Sequence, residues 1–209
     1  MDEKPHVDPR LRTTLRVALI ATLLGSCGVA NGVGQLSQTS VASDAGPLDA
    51  SGDPALRDAA RETNAVFSEL LNQDPLRRVF AAANVGLSLL LAFAGMLLMM
   101  RRESAPWWLT QAVIANSLFI LAQALAVIWR IHEFSPRLTT TLDTYLRAAN
   151  PAEAAELGDF AWGLATTYMM MGTVALWALL RTLIHLLVAW RARKPDVREL
   201  LAETQRKRG

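Results

Sequence analysis

The chain has 209 residues, 52% of them hydrophobic and 19% charged, with a formal net charge of +2. Its charges fall in blocks between long apolar runs, a pattern that excludes an ordinary water-soluble domain and marks a membrane protein. The single cysteine, Cys27, excludes an intramolecular disulfide and a multi-cysteine zinc site within one chain.

Residues 17–36, 79–100, 107–129 and 160–180 hold no Asp, Glu, Lys or Arg. Each run has about 20 residues, which as a helix rising ~1.5 Å per residue crosses a ~30 Å hydrocarbon core. The flanks 1–16, 101–106 and 181–209 carry 14 Lys/Arg against 7 Asp/Glu, a net of +7. The flanks 37–78 and 130–159 carry 7 against 12, a net of −5. Lys and Arg are enriched in cytoplasmic flanks, so both termini and the Arg101-Arg102 turn are expected in the cytoplasm. The six tryptophans lie toward the ends of these segments, where indoles favour the headgroup level.

Residues 1–16 read as a polar cytoplasmic tail with Arg10, Arg12 and Arg16 ahead of the first span. Transmembrane helix 1, residues 17–36, is strongly apolar to Leu24 and then small and polar. Gly28 and Gly32 form a GxxxG, a spacing that lets helix backbones approach closely in lipid. Leu24-Gly25-Ser26-Cys27, after positive residues and a short apolar core, resembles a bacterial lipobox, although glycine before serine is a less usual filling. That resemblance implies cleavage of residues 1–26 as a signal peptide and lipidation of Cys27, leaving three spans. The reading carried forward is a transmembrane helix with a small cysteine on a packing face.

Residues 37–78 read as an extracytoplasmic segment, a flexible linker followed by an amphipathic helix. Asp53-Pro54 supplies an N-cap and a proline at the first helical position. Leu56, Ala59, Ala60, Val66, Phe67, Leu70 and Leu71 then recur at helical spacing, with Thr63 the one polar member of that face. Asp74-Pro75 repeats the cap signal before transmembrane helix 2, residues 79–100. Ala82 and Gly86, Ser88 and Ala92, and the Ala94-Gly95 pair, with Gly28 and Gly32, predict tight packing between the first two spans or a homomeric contact. The cytoplasmic turn at 101–106 is short enough to force an antiparallel hairpin.

Transmembrane helix 3, residues 107–129, places Asn116, Gln123 and, just beyond it, Arg130 at seven-residue spacing on one face. With Asn84 opposite, these form a candidate polar path. The structural alternative is interhelical hydrogen bonding, worth about 0.6–2 kcal/mol per bond. The segment 130–159 is an extracytoplasmic helical loop. Ser135-Pro136 is expected to start one amphipathic helix, and Asn150-Pro151 a short one that Gly158 ends. Transmembrane helix 4, residues 160–180, leads into an amphipathic basic tail at 181–209. Arg181 and His185 share a helical face and are candidates for contact with a lipid headgroup.

The fold expected is all-α: an integral membrane four-helix transmembrane bundle with helical extracytoplasmic loops. His132-Glu133 with Asp159 is the one acid–histidine grouping at the extracytoplasmic side, and it has no nucleophile or metal cluster beside it. Met169-Met170-Met171 point around a helix and read as packing. No enzyme activity, cofactor, metal or nucleic-acid partner is expected. The expected role is a non-enzymatic scaffold or accessory subunit of a membrane complex. The alternative is a small transporter or channel subunit using the polar face of transmembrane helix 3. The expected partners are the lipid bilayer and other membrane protein subunits or further copies of the chain. The abundance of Ala, Leu and Arg points to the inner (cytoplasmic) membrane of a bacterium.

Overall fold

The computed structural model describes residues 8–37, 54–72, 76–152 and 162–207. Among these the chain forms six main helices: α1 (Pro9–Ser37), α2 (Pro54–Asn72), α3 (Arg77–Met99), α4 (Ala105–Ala149), α5 (Trp162–Ala192) and α6 (Pro195–Arg206). Helices α1, α3, α4 and α5 are long and apolar enough to cross a membrane. The chain is an all-α, multi-pass membrane protein with four candidate spans. The linker over 38–53, the Asp74-Pro75 cap, Asp159 and most of the short helix expected between Asn150 and Gly158 lie outside the described residues.

Proline marks where several of these helices start. Helices α1, α2 and α6 begin on Pro9, Pro54 and Pro195, where the missing N–H removes nothing the helix needs. Asp8 caps α1: its Oδ1 accepts the Arg10 N–H at 2.8 Å. The helix therefore starts well before the apolar run, and the latter part of the tail read from sequence is helical. At the other end of the chain, Pro195 disfavours helical geometry at Lys194, which is extended at φ −60, ψ 144. That residue breaks α5 from α6.

The contacts divide the chain into two units, one comprising Met1–Ser37, Arg78–Ala122 and Leu179–Gly209, the other Gln38–Arg77 and Gln123–Ala178. In the first unit α1 and α3 meet through small residues. A Cβ on Gly25 would stand 2.6 Å from the Ala92 nitrogen and the Ser88 carbonyl. One on Gly95 would stand 2.9 Å from the Thr22 nitrogen. In lipid no hydrophobic force draws helices together, so this close backbone contact supplies dispersion instead. Val17, Ala21, Leu91, Leu98, Leu109, Val113 and Val188 continue the core. Helix α6 adds Val197 and Leu201 to it, both buried. Arg10 of α1 reaches Glu199 and Glu203 of α6 at 3.6 and 3.7 Å. These side chains are largely exposed, so each pair contributes about 0–1 kcal/mol, and the apolar contacts dock the helix.

A tight turn joins α3 to α4. Arg101 takes the left-handed conformation at φ 56, and the Arg102 N–H returns to the Leu97 carbonyl at 3.0 Å. This closes α3 in the manner usually given to glycine.

The second unit packs α2 against the later part of α4 and the early part of α5. Val66, Ile131, Leu138 and Leu142 are its buried centre, with Phe67, Leu70, Phe134, Met170, Met171 and Val174 around them. Here the structure differs from the expectation at Ser135-Pro136. No new helix starts there; α4 runs through Pro136 for 45 residues. Proline at this point removes one backbone donor and crowds the preceding turn. Leu138 and Leu142, buried beyond it, anchor the helix on the far side of that defect. At ~1.5 Å per residue α4 is about 68 Å long, twice what the hydrocarbon core requires.

Candidate functional site

The buried polar side chains are the groups from which a site would be built. In the first unit Asn84 of α3 donates from Nδ2 to the Gly28 carbonyl of α1 at 3.2 Å. Ser88, one turn on, stands 3.5 Å from Asn84 Oδ1. The Ser88 hydroxyl also fills the space that a Cβ on Gly28 would need. Glycine at position 28 therefore makes room for the Ser88 side chain. Asn116 of α4 is buried and donates from Nδ2 to the Leu87 carbonyl of α3 at 3.0 Å and to Ala112 at 2.9 Å. Its two amide hydrogens are thus both used, one of them across a helix boundary. The two asparagines do not bond each other; each ties α3 to a different neighbour.

Gln123 and Arg130 belong to the second unit. Gln123 is half-buried. Arg130 donates from Nη2 to the Leu70 carbonyl of α2 at 3.4 Å and lies 4.0 Å from Glu133. Its guanidinium carbon is 5.4 Å above the Phe134 ring, a cation–π distance. Its Nε is buried with no hydrogen-bond partner. The four polar residues expected on one path therefore divide into two asparagines bonded to backbone carbonyls in the first unit and, in the second, a half-buried Gln123 and an arginine held against α2.

Arg181 and His185 are placed differently from the headgroup expectation. His185 is only 2% exposed, and its Nδ1 lies 2.7 Å from the Arg181 carbonyl. Arg181 is half-buried, with Nη2 3.9 Å from the point where a Cβ on Gly28 would stand. Both residues are directed into the first unit, where a bulk headgroup would not reach the imidazole. A sequence cannot distinguish an arginine at the end of a span that snorkels outward from one that a facing glycine admits.

The small-residue rows resolve likewise. Gly28 and Gly32 are buried against α3, and a Cβ on Gly32 would meet Val85 Cγ2 at 2.6 Å. Ala82 and Gly86 are exposed, and nothing lies within 4 Å of a Cβ built on Gly86. The α3 side of the seam is the expected Ser88, Ala92 and Gly95, with Ala81 in place of Ala82 and Gly86. Cys27 is exposed on α1.

Sequence reasoning missed two contacts of the second unit. Thr63 of α2 is fully buried, and its hydroxyl lies 2.9 Å from the Ala59 carbonyl and 3.0 Å from that of Thr141 on α4. Its isolation on an apolar face was the available signal. Gly163 admits the α4 backbone at Thr139 and Asp143, and Thr139 and Thr167 stand 3.5 Å apart beside it. Nothing in the local sequence announces that crossing. Among the described residues no three His, Cys, Asp or Glu side chains converge to hold a metal. Comparison of the chain with models of protein families, with curated proteins and with solved structures finds no match.

Proposed function

We propose that this protein is a non-enzymatic scaffold or accessory subunit of a complex in the bacterial inner membrane, with both termini cytoplasmic. The observation that carries this reading is the use made of the buried amides. Asn84 and Asn116 each donate to a backbone carbonyl of a neighbouring span, which fixes helices and leaves little to offer a passing solute. The exposed Ala82 and Gly86 row on α3 supports a partner helix, from another subunit or a second copy, because small residues let a helix approach closely in lipid. The charge asymmetry of the flanks supports the orientation.

The test is crosslinking and pull-down of the intact chain from native membranes, alongside solute flux in liposomes, for the wild type and the Asn116→Leu, Gln123→Leu double variant. A scaffold keeps its partners in both forms. Flux through the purified wild type that the double variant loses while still assembling overturns the scaffold and establishes a transporter. The buried Nε of Arg130 and the buried hydroxyls of Ser117 and Thr182, which have no hydrogen-bond partner, favour that second outcome.

A further inference from the structure

An open groove of about 850 Å³ lies in the first unit, between the start of α4 and the C-terminal helix α6. That volume falls in the range of roughly 300–1,000 Å³ usual for small-molecule sites. Its apolar surface comes from Pro106, Trp107, Leu201 and Ala202. Its charged surface is mixed: Arg193 and Arg198 are cationic, Glu103 and Glu199 anionic. Thr110 anchors Arg193 by accepting its Nε–H at 3.0 Å, which fixes the base of that side chain beside the groove. Among the described residues no ion pair engages Glu103 or Arg198.

The position of the groove identifies its surroundings. Pro106 and Trp107 open one candidate span, and Arg193 directly follows another. Trp107 and Trp190 are both exposed, and the Trp107 and Trp108 rings meet edge to face at 5.0 Å. Lys194 holds its ammonium 4.5 Å from the Trp190 ring. Exposed indoles and cations at the ends of apolar helices mark the headgroup level of a bilayer.

We propose that this groove binds the headgroup of an aminophospholipid, a lipid carrying both a phosphate and a primary ammonium. A purely cationic site would suit any anionic lipid. Two guanidiniums line this groove with two carboxylates; Glu199 already lies 3.6 Å from Arg10, which leaves Glu103 to complete, with the arginines, a match to a zwitterion. The guanidiniums take the phosphate oxygens through charge-assisted hydrogen bonds. Glu103 accepts the ammonium hydrogens, a contact that a quaternary choline lacks and a glycerol headgroup cannot replace with charge. The apolar floor at Trp107, Leu201 and Ala202 receives the glycerol backbone and the first acyl carbons.

The full-length protein, purified and delipidated in detergent, is offered equal amounts of phosphatidylethanolamine, phosphatidylglycerol and phosphatidylcholine, and bound lipid is counted by native mass spectrometry. Phosphatidylethanolamine is expected to exceed both others. Arg198→Gln should lower binding of phosphatidylethanolamine and phosphatidylglycerol alike, by about tenfold for a lost charged hydrogen bond. Glu103→Gln should abolish the preference for phosphatidylethanolamine over phosphatidylglycerol. Arg198→Lys should retain phosphate binding. Both positions are exposed, so the lipid-free melting temperature of each variant should match the wild type. Equal retention of the three lipids overturns the proposal, as does phosphatidylethanolamine binding unaffected by both Gln variants. Displacement of the lipid by soluble phosphoethanolamine at equal concentration also overturns it, by showing a solute site.

Discussion

Arg101 is the one non-glycine residue with positive φ among the described residues. A side chain in the left-handed region costs roughly 1 kcal/mol that glycine avoids. Arg101→Gly is therefore expected to raise the stability of the purified protein by about 1 kcal/mol, read as a melting temperature higher by about 2–4 °C. An unchanged or lowered value would show that the arginine makes a contact that outweighs its conformation. Thr63 makes the opposite case. Its buried hydroxyl is the polar link from α2 to the Thr141 carbonyl, and valine has nearly the same shape. Thr63→Val should destabilise by about 1 kcal/mol, measured by thermal unfolding, because one net hydrogen bond is lost without opening a cavity.

Between elements, the seam of α1 and α3 separates two rows of small residues that sequence alone could not rank. Ala81, Ser88, Ala92 and Gly95 face α1, whereas Ala82 and Gly86 do not, yet both rows have helical spacing. Gly32→Leu should lower thermal stability by about 3 kcal/mol, since its side chain would enter Val85 and the Ala81 carbonyl. Gly86→Leu should leave the stability of the isolated chain unchanged and act only on assembly size, read by crosslinking or light scattering. A large melting-temperature loss in the Gly86 variant would contradict the placement of that face. The apolar runs were legible because each is long and free of charge. The start of α1 at Pro9 was not read, although Asp8-Pro9 repeats the pattern at Asp53-Pro54. Pro136 was misleading because a proline's local preference says nothing about Leu138 and Leu142, whose tertiary burial carries the helix onward. For the candidate site, the spacing of Asn116, Gln123 and Arg130 was visible, but not their partners. Those depend on which backbone carbonyl each neighbouring helix presents.

At the scale of the whole molecule, the flank charges make orientation a measurable quantity. In a Cys27→Ser background, Asp58→Cys is expected to react with a membrane-impermeant maleimide in intact cells, and Ser104→Cys only after permeabilisation. Both positions are exposed, so access to each depends on which side of the membrane it occupies. The reverse pattern would invert the proposed topology. The turn that carries Ser104 also constrains how the chain is built. Five residues separate the end of α3 at Met99 from the start of α4 at Ala105. Fully extended, such a stretch reaches roughly 20 Å, less than the ~30 Å of hydrocarbon. Once α3 has crossed, the start of α4 is held at the same face and its apolar run has only the return path open. A short turn thus ties the direction of α4 to that of α3, so that whatever orients one helix orients both.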